Sequence, residues 1–213
     1  DKFGNRVETR RGETFKTGVR PTPPRDAADF AAFLKGAADR GATDETFARV
    51  SASAGAGGVD VFRWIVGQIE QLGASSAQAR RWALETFTLL NDRLYDCGGM
   101  KRSAALETVR GAIERLLDSV PPLDSDSPDA FKRVCLETRS RLRKPAGDET
   151  TLVICSTGFP PEGDNCDARL MVDAFGLGWK RFMVYGLRGQ RFHGDGFGPA
   201  TDSVRIDLYG SSG

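Results

Sequence analysis

Between residues 26 and 142 the apolar positions recur with a helical period. Phe30, Phe33, Leu34 and Ala37 share one face, with Asp26 placed to cap the helix and Gly41 to stop it. Phe47 and Val50 predict a short helix after Thr43, which Gly55-Ala56-Gly57-Gly58 should break. Phe62, Ile65, Val66, Ile69 and Leu72 form the next stripe. Ser75-Ser76-Ala77-Gln78 reads as a capping box opening the helix of Trp82, Phe87, Leu90 and Leu94. Gly98-Gly99 should stop that helix, with Gly98 as its left-handed terminator. Leu106, Val109, Ile113, Leu116, Leu117 and Val120 mark another, ended by Pro121-Pro122. Ser127-Pro128 reads as a cap and first turn for a last helix through Phe131, Val134, Cys135, Thr138 and Leu142. Stripes of this kind must pack on one another, which predicts a helical bundle over 26–145. Residues 1–25 are polar and proline-rich and read as an extended lead-in, with a short hairpin at Gly4-Asn5.

The pattern changes at Lys144-Pro145-Ala146-Gly147-Asp148. Thr151 to Cys155 is a continuous apolar run, as in a strand buried on both faces. Asp164 is placed to cap a helix bearing Leu170, Met171, Ala174 and Phe175, and Arg181 to Tyr185 is a second strand. Strand, helix and strand in succession make a βαβ unit. Beyond Gly186 the strands are short and separated by glycines, which suggests tight corners of positive φ. The expected class is α+β: an N-terminal helical bundle, then a βαβ unit over 146–213 leading into the first coil of a right-handed parallel β-helix.

Composition narrows the chemistry. Lys and Arg number 30 against 29 Asp and Glu, so bulk charge does not draw the 213-residue chain to nucleic acid. No run of 18 apolar residues offers a membrane span, and no membrane partner is expected. The N-terminus shows no secretory pattern, and Cys97, Cys135, Cys155 and Cys166 lack metal-site spacing. A cytoplasmic chain without metal or cofactor is the expectation. Only one histidine is present, so any Ser-His-Asp or multi-His site would have to be built on His193. Lys132, Arg133, Arg139, Arg141, Arg143 and Lys144 cluster against Glu137, which suggests a solvated helix end or a partner contact before a nucleic-acid surface.

The tail is more specific. Arg188-Gly189-Gln190-Arg191-Phe192-His193-Gly194-Asp195-Gly196-Phe197-Gly198, followed by Val204 to Gly210, resembles the entry into the GXGXG β-helix domain. That domain ends the glutamate synthase large subunit, and similar ones occur as separate subunits and within formylmethanofuran dehydrogenase. The resemblance covers roughly residues 151–213. It implies a structural element that holds catalytic modules together, with β-helix corners at Gly189, Gly194, Gly196, Gly198 and Gly210. It also implies other proteins of a complex as partners, and an open end that further coils or a second copy would cover.

Gly194-x-Gly196-x-Gly198 could instead cradle a phosphate, but that needs a following helix, and Pro199 to Asp202 leads towards a strand. Cys155 ends a strand and can be read as a nucleophile or as a small buried residue. Cys166, near a helix start, is better placed electrostatically but shows no partner. Arg188 and Arg191 suit a carboxylate, a phosphate or an interface. The leading expectation is a non-catalytic scaffold subunit of a glutamate synthase-like or formylmethanofuran dehydrogenase-like complex. The alternative is an enzyme subunit of amide-nitrogen or one-carbon metabolism with an interface site drawn from Cys155, Arg188, Arg191 and His193.

Overall fold

The computed structural model describes residues 21–190, 193–194, 196–198 and 201–211. The hairpin expected at Gly4-Asn5 lies outside them. The expected bundle is present as α1 (Ala27–Arg40), α2 (Thr43–Gly73), α3 (Ala77–Asp92) and α4 (Arg102–Asp118). Phe30, Leu34, Phe62, Ile65, Ile69, Trp82, Phe87, Val109, Ile113 and Leu117 form its core, so the periodic stripes face inward. The α1 helix ends at Gly41 in the left-handed conformation. Ser76 rather than Ser75 caps α3, accepting from the Ala79 amide at 3.1 Å, and Gln78 instead donates to the Asp39 carbonyl.

Three boundaries differ from the sequence reading. Gly55 to Gly58 do not break the chain: α2 runs through them and kinks at Gly58, where φ is 70°. Gly98 does not terminate α3, which stops at Asp92. It sits in a later turn whose amide donates to Asp96 Oδ1 at 2.7 Å.

The third difference is the largest. No helix forms over 127–142 in place of the expected one; Phe131–Val134 is a strand, β1, followed by a short 3-10 helix at Leu136–Arg141. Phe131 and Val134 are three apart and satisfy a helical stripe and a short strand equally well. The strand wins through tertiary contacts. It pairs in parallel with β2 (Thr151–Cys155), and the Lys132 side chain, which a bundle helix would leave in solvent, is buried.

The sheet has four parallel strands in the order β1-β2-β3-β4, with β3 at Arg181–Arg188 and β4 at Arg205–Ser211. A fifth helix, α5 (Asp167–Gly176), links β2 to β3, so the predicted βαβ unit is present. Leu136 and Leu142 from the first connection, α5 from the second, and Phe197 and Val204 from the third all join one core. Three connections on one face of a sequentially ordered sheet share a single hand. The opposite face is thereby left to the bundle, against which Phe131, Val153, Met183 and Tyr185 pack. The molecule is α+β, with helices preceding strands. The tail adds a fourth strand to this sheet, and its coil closure into a β-helix is not among the elements described.

The two sheet edges are unlike. Outside β1, the Arg133 amide donates to the Pro121 carbonyl and the Leu123 amide to the Arg133 carbonyl, each at 2.8 Å. Outside β4, no backbone hydrogen bond is made among the described residues.

Candidate functional site

Ligand sites in parallel α/β sheets gather at the carboxyl ends of the strands. Here those ends carry Cys155, Ser156 and Thr157 after β2, and Tyr185 to Gln190 at the end of β3. A bulge interrupts the β3–β4 register between Tyr185 and Leu187. Gly186 makes it possible, with φ at 72°, and a Cβ there would stand 2.6 Å from Thr157 Oγ1. The bulge sends Leu187 into the core on the crossover face, while Tyr185 packs towards the bundle.

On the bundle side the strand ends open into a cleft. It is lined by Glu114 and Asp118 from α4, by Cys155 and Thr157, and by Tyr185 to Arg188. Tyr185 is buried, and its hydroxyl donates to Asp118 Oδ1 at 2.5 Å. Burial, the Asp118 carboxylate and the adjacent Cys155 thiol all push the phenol well above its ordinary range. Tyr185 is therefore a neutral donor that fixes the orientation of Asp118. The cleft thus brings together two carboxylates, a cysteine, a threonine, a tyrosine and an arginine.

On the crossover side the strand ends are closed. His193 Nε2 lies 3.1 Å from Asp167 Oδ2, and both side chains are almost wholly buried. Burial opposes ionisation of Asp167, but the hydrogen bond with His193 and the nearness of Ser156 outweigh it, so its carboxyl lies below the ordinary range. Asp167 also accepts from the Ala168 amide at 2.8 Å. Ser156 Oγ is buried close by, without a hydrogen bond of normal geometry among the described residues. Gln190 ties the same corner down, donating to the Ser156 carbonyl at 3.3 Å and accepting from the Arg188 amide. Among the described residues no thiol or hydroxyl hydrogen-bonds His193. The pair fastens the glycine-rich connection to the start of α5.

The structure thus separates the sequence candidates. Cys155 and Arg188 meet in the cleft. His193 does not join them: Cys155 packs with the bundle-side core, whereas His193 is held at α5 on the other face. Arg191 lies outside the described residues. Cys166, rather than Asp164, caps α5, its sulfur accepting from the Arg169 amide at 3.4 Å. Gly189, Gly194, Gly196, Gly198 and Gly210 all have positive φ, and Gly210 lies within β4 rather than at a corner. The basic cluster of 132–144 is largely consumed internally: Lys132 and Arg143 engage Glu149, Arg141 engages Asp124, and Arg133 donates to the Val120 carbonyl.

Sequence reasoning missed Glu114, Asp118, Tyr185 and Asp167. A signal existed for the first two, because acids four apart at the end of a helix oppose both each other and the helix dipole. Among the described residues no group of three or more His, Cys, Asp or Glu side chains is placed to hold a metal ion. No family model matches the chain, no curated protein matches it, and no solved structure does.

Proposed function

We propose that this chain is a non-catalytic assembly module whose sheet is extended by further parallel strands at β4. The observation that carries the reading is the contrast between a β1 edge closed by Pro121 to Leu123 and a β4 edge with no backbone partner among the described residues. An uncovered edge is a template for strand addition. Sequential parallel strands, linked at the tail by positive-φ glycines, suit continuation as a GXGXG-type β-helix. On this reading the chain is a scaffold part of a glutamate synthase-like or formylmethanofuran dehydrogenase-like complex. The four helices would then form the face presented to neighbouring subunits, and His193 would act as a fastener of the first corner.

The test is isolation of the tagged native protein from its own source under gentle conditions. It should elute in a complex with glutamine- or formyl-handling subunits, with the β4 amides slower to exchange than in the isolated chain. Elution as a lone monomer would overturn the reading.

A further inference from the structure

The cleft at the ends of β2 and β3 breaks local rules in a way that the scaffold reading does not use. Glu114 and Asp118 are four residues apart on α4, so their like charges face one another. Asp118 is also the last residue of the helix, where the macrodipole already concentrates negative charge. A helix end ordinarily favours the opposite sign. No ion pair among the described residues includes Glu114, Asp118 or Arg188, although all three line the same cleft. One Asp118 oxygen is held by the buried Tyr185 hydroxyl, so the carboxylate is oriented in advance. Violations of local electrostatics that packing does not relieve concentrate at functional sites.

We infer that this cleft binds a small zwitterion, an ammonium carboxylate of the size of a short α-amino acid. Its ammonium sits between Glu114 and Asp118, relieving their repulsion, and its carboxylate meets the Arg188 guanidinium, whose planar fork suits two parallel hydrogen bonds. The cleft is small, about 120 Å³, and open to solvent. Cys155 and Thr157 line the same cleft. The inference is independent of the scaffold reading, since it concerns the bundle face of the sheet and not the β4 edge.

The experiment uses glycine as the probe, with glycine methyl ester and N-acetylglycine as controls that each remove one charge. Binding is followed by amide chemical shifts at Cys155, Thr157, Gly186 and Arg188, and by the rate of Cys155 alkylation read by mass spectrometry. Glycine should move those amides saturably and slow the alkylation at least threefold. Each control should bind at least tenfold more weakly. Glu114→Gln and Arg188→Gln should each weaken glycine binding at least tenfold; both residues are exposed, so the fold should survive. Arg188→Lys should fall between wild type and Arg188→Gln. No saturable shift at 50 mM glycine (about 50 mM being a weak-binding ceiling near −2 kcal/mol) overturns the inference. Equal binding of N-acetylglycine overturns it in favour of a simple anion site, and glycine binding unchanged in both variants overturns it by placing the ligand elsewhere.

Discussion

At the β1 edge a lysine is buried. Lys132 donates to the carbonyls of Ser125 and Ser127, each at 2.7 Å, and lies 3.6 Å from Glu149. Two of the three ammonium protons are thereby hydrogen-bonded, and Glu149 supplies the counter-charge. Glu149 also forms a bidentate pair with Arg143, and Arg80 pairs with Asp129 while lying over the Phe131 ring. At the β4 edge the charges are superficial. Arg205 pairs only with Asp207 of its own strand among the described residues, and Leu208 is 42% exposed. Both are outer strands of one parallel sheet, yet one is locked by desolvated ion pairs and the other is left adjustable. Buried pairs are costly to open, so they suit an edge that must never exchange partners. Exposed pairs cost little to rearrange, as a growing or docking edge requires.

Truncating an apolar side chain at each edge should give the largest contrast. Phe131 is fully buried, and Phe131→Ala should destabilise the protein by about 3–5 kcal/mol, as removal of a core phenylalanine does. Leu208→Ala should cost less than about 1 kcal/mol, since partly exposed residues lose little on truncation. Urea denaturation of both variants measures the difference. Equal losses would show that β4 is as deeply committed to this fold as β1.

Charge gives the second contrast. Glu149→Ala leaves Lys132 buried beside a missing partner and should cost about 3 kcal/mol, whereas Arg205→Ala should stay within about 0.5 kcal/mol. The effect at β1 should depend on pH. The Arg143 hydrogen bonds hold the Glu149 carboxyl below its ordinary value despite opposing burial, with the Ala146 amide and Lys132 adding to the effect. A depressed carboxyl contributes stability that is present above its unfolded pKa, about 4.3, and is lost as pH falls through the lower folded value. Wild type should therefore exceed Glu149→Gln in stability at pH 6, and the two should converge below about pH 4. A constant gap down to about pH 2 would remove the ion pair as the cause.

The bundle was legible from sequence because its signal is long. Stripes such as Phe62 to Leu72 repeat over three turns, and no strand can satisfy that spacing. The strands Thr151–Cys155 and Arg181–Tyr185 were legible because runs buried on both faces have no polar interruption. β1 was not. Its four residues, Phe-Lys-Arg-Val, carry two cations in the middle, and burial of Lys132 depends on carbonyls and a carboxylate up to 17 residues away, at Glu149. A local window holds no trace of that. The candidate site divides in the same way. Cys155 and Arg188 announced themselves by residue type, but Glu114, Asp118 and Tyr185 acquire meaning only when α4 is laid across the strand ends. His193 stands out in sequence by its rarity, whereas nothing local marks its buried partner Asp167, 26 residues away.

The smallest effect, and the most direct probe of the β4 edge, lies in single amides. The Arg205 amide donates to the Lys180 carbonyl of the neighbouring chain segment at 2.9 Å. In a parallel strand successive residues direct their amides to opposite sides, so Asp207 also bonds inward, while Ile206 and Leu208 direct theirs to the open edge. In the isolated chain, hydrogen exchange should therefore alternate along β4, slow at 205 and 207 and at least tenfold faster at 206 and 208. No such alternation should occur at Arg133, whose outward amide is taken by Pro121. Leu208→Pro removes one outward amide without disturbing an inward bond, and edge strands tolerate proline. It should change stability by less than about 1 kcal/mol while abolishing any self-association or strand addition at this edge. Uniformly slow exchange across 205–208 in a demonstrated monomer would mean that β4 is already covered, and the two edges would no longer differ in kind.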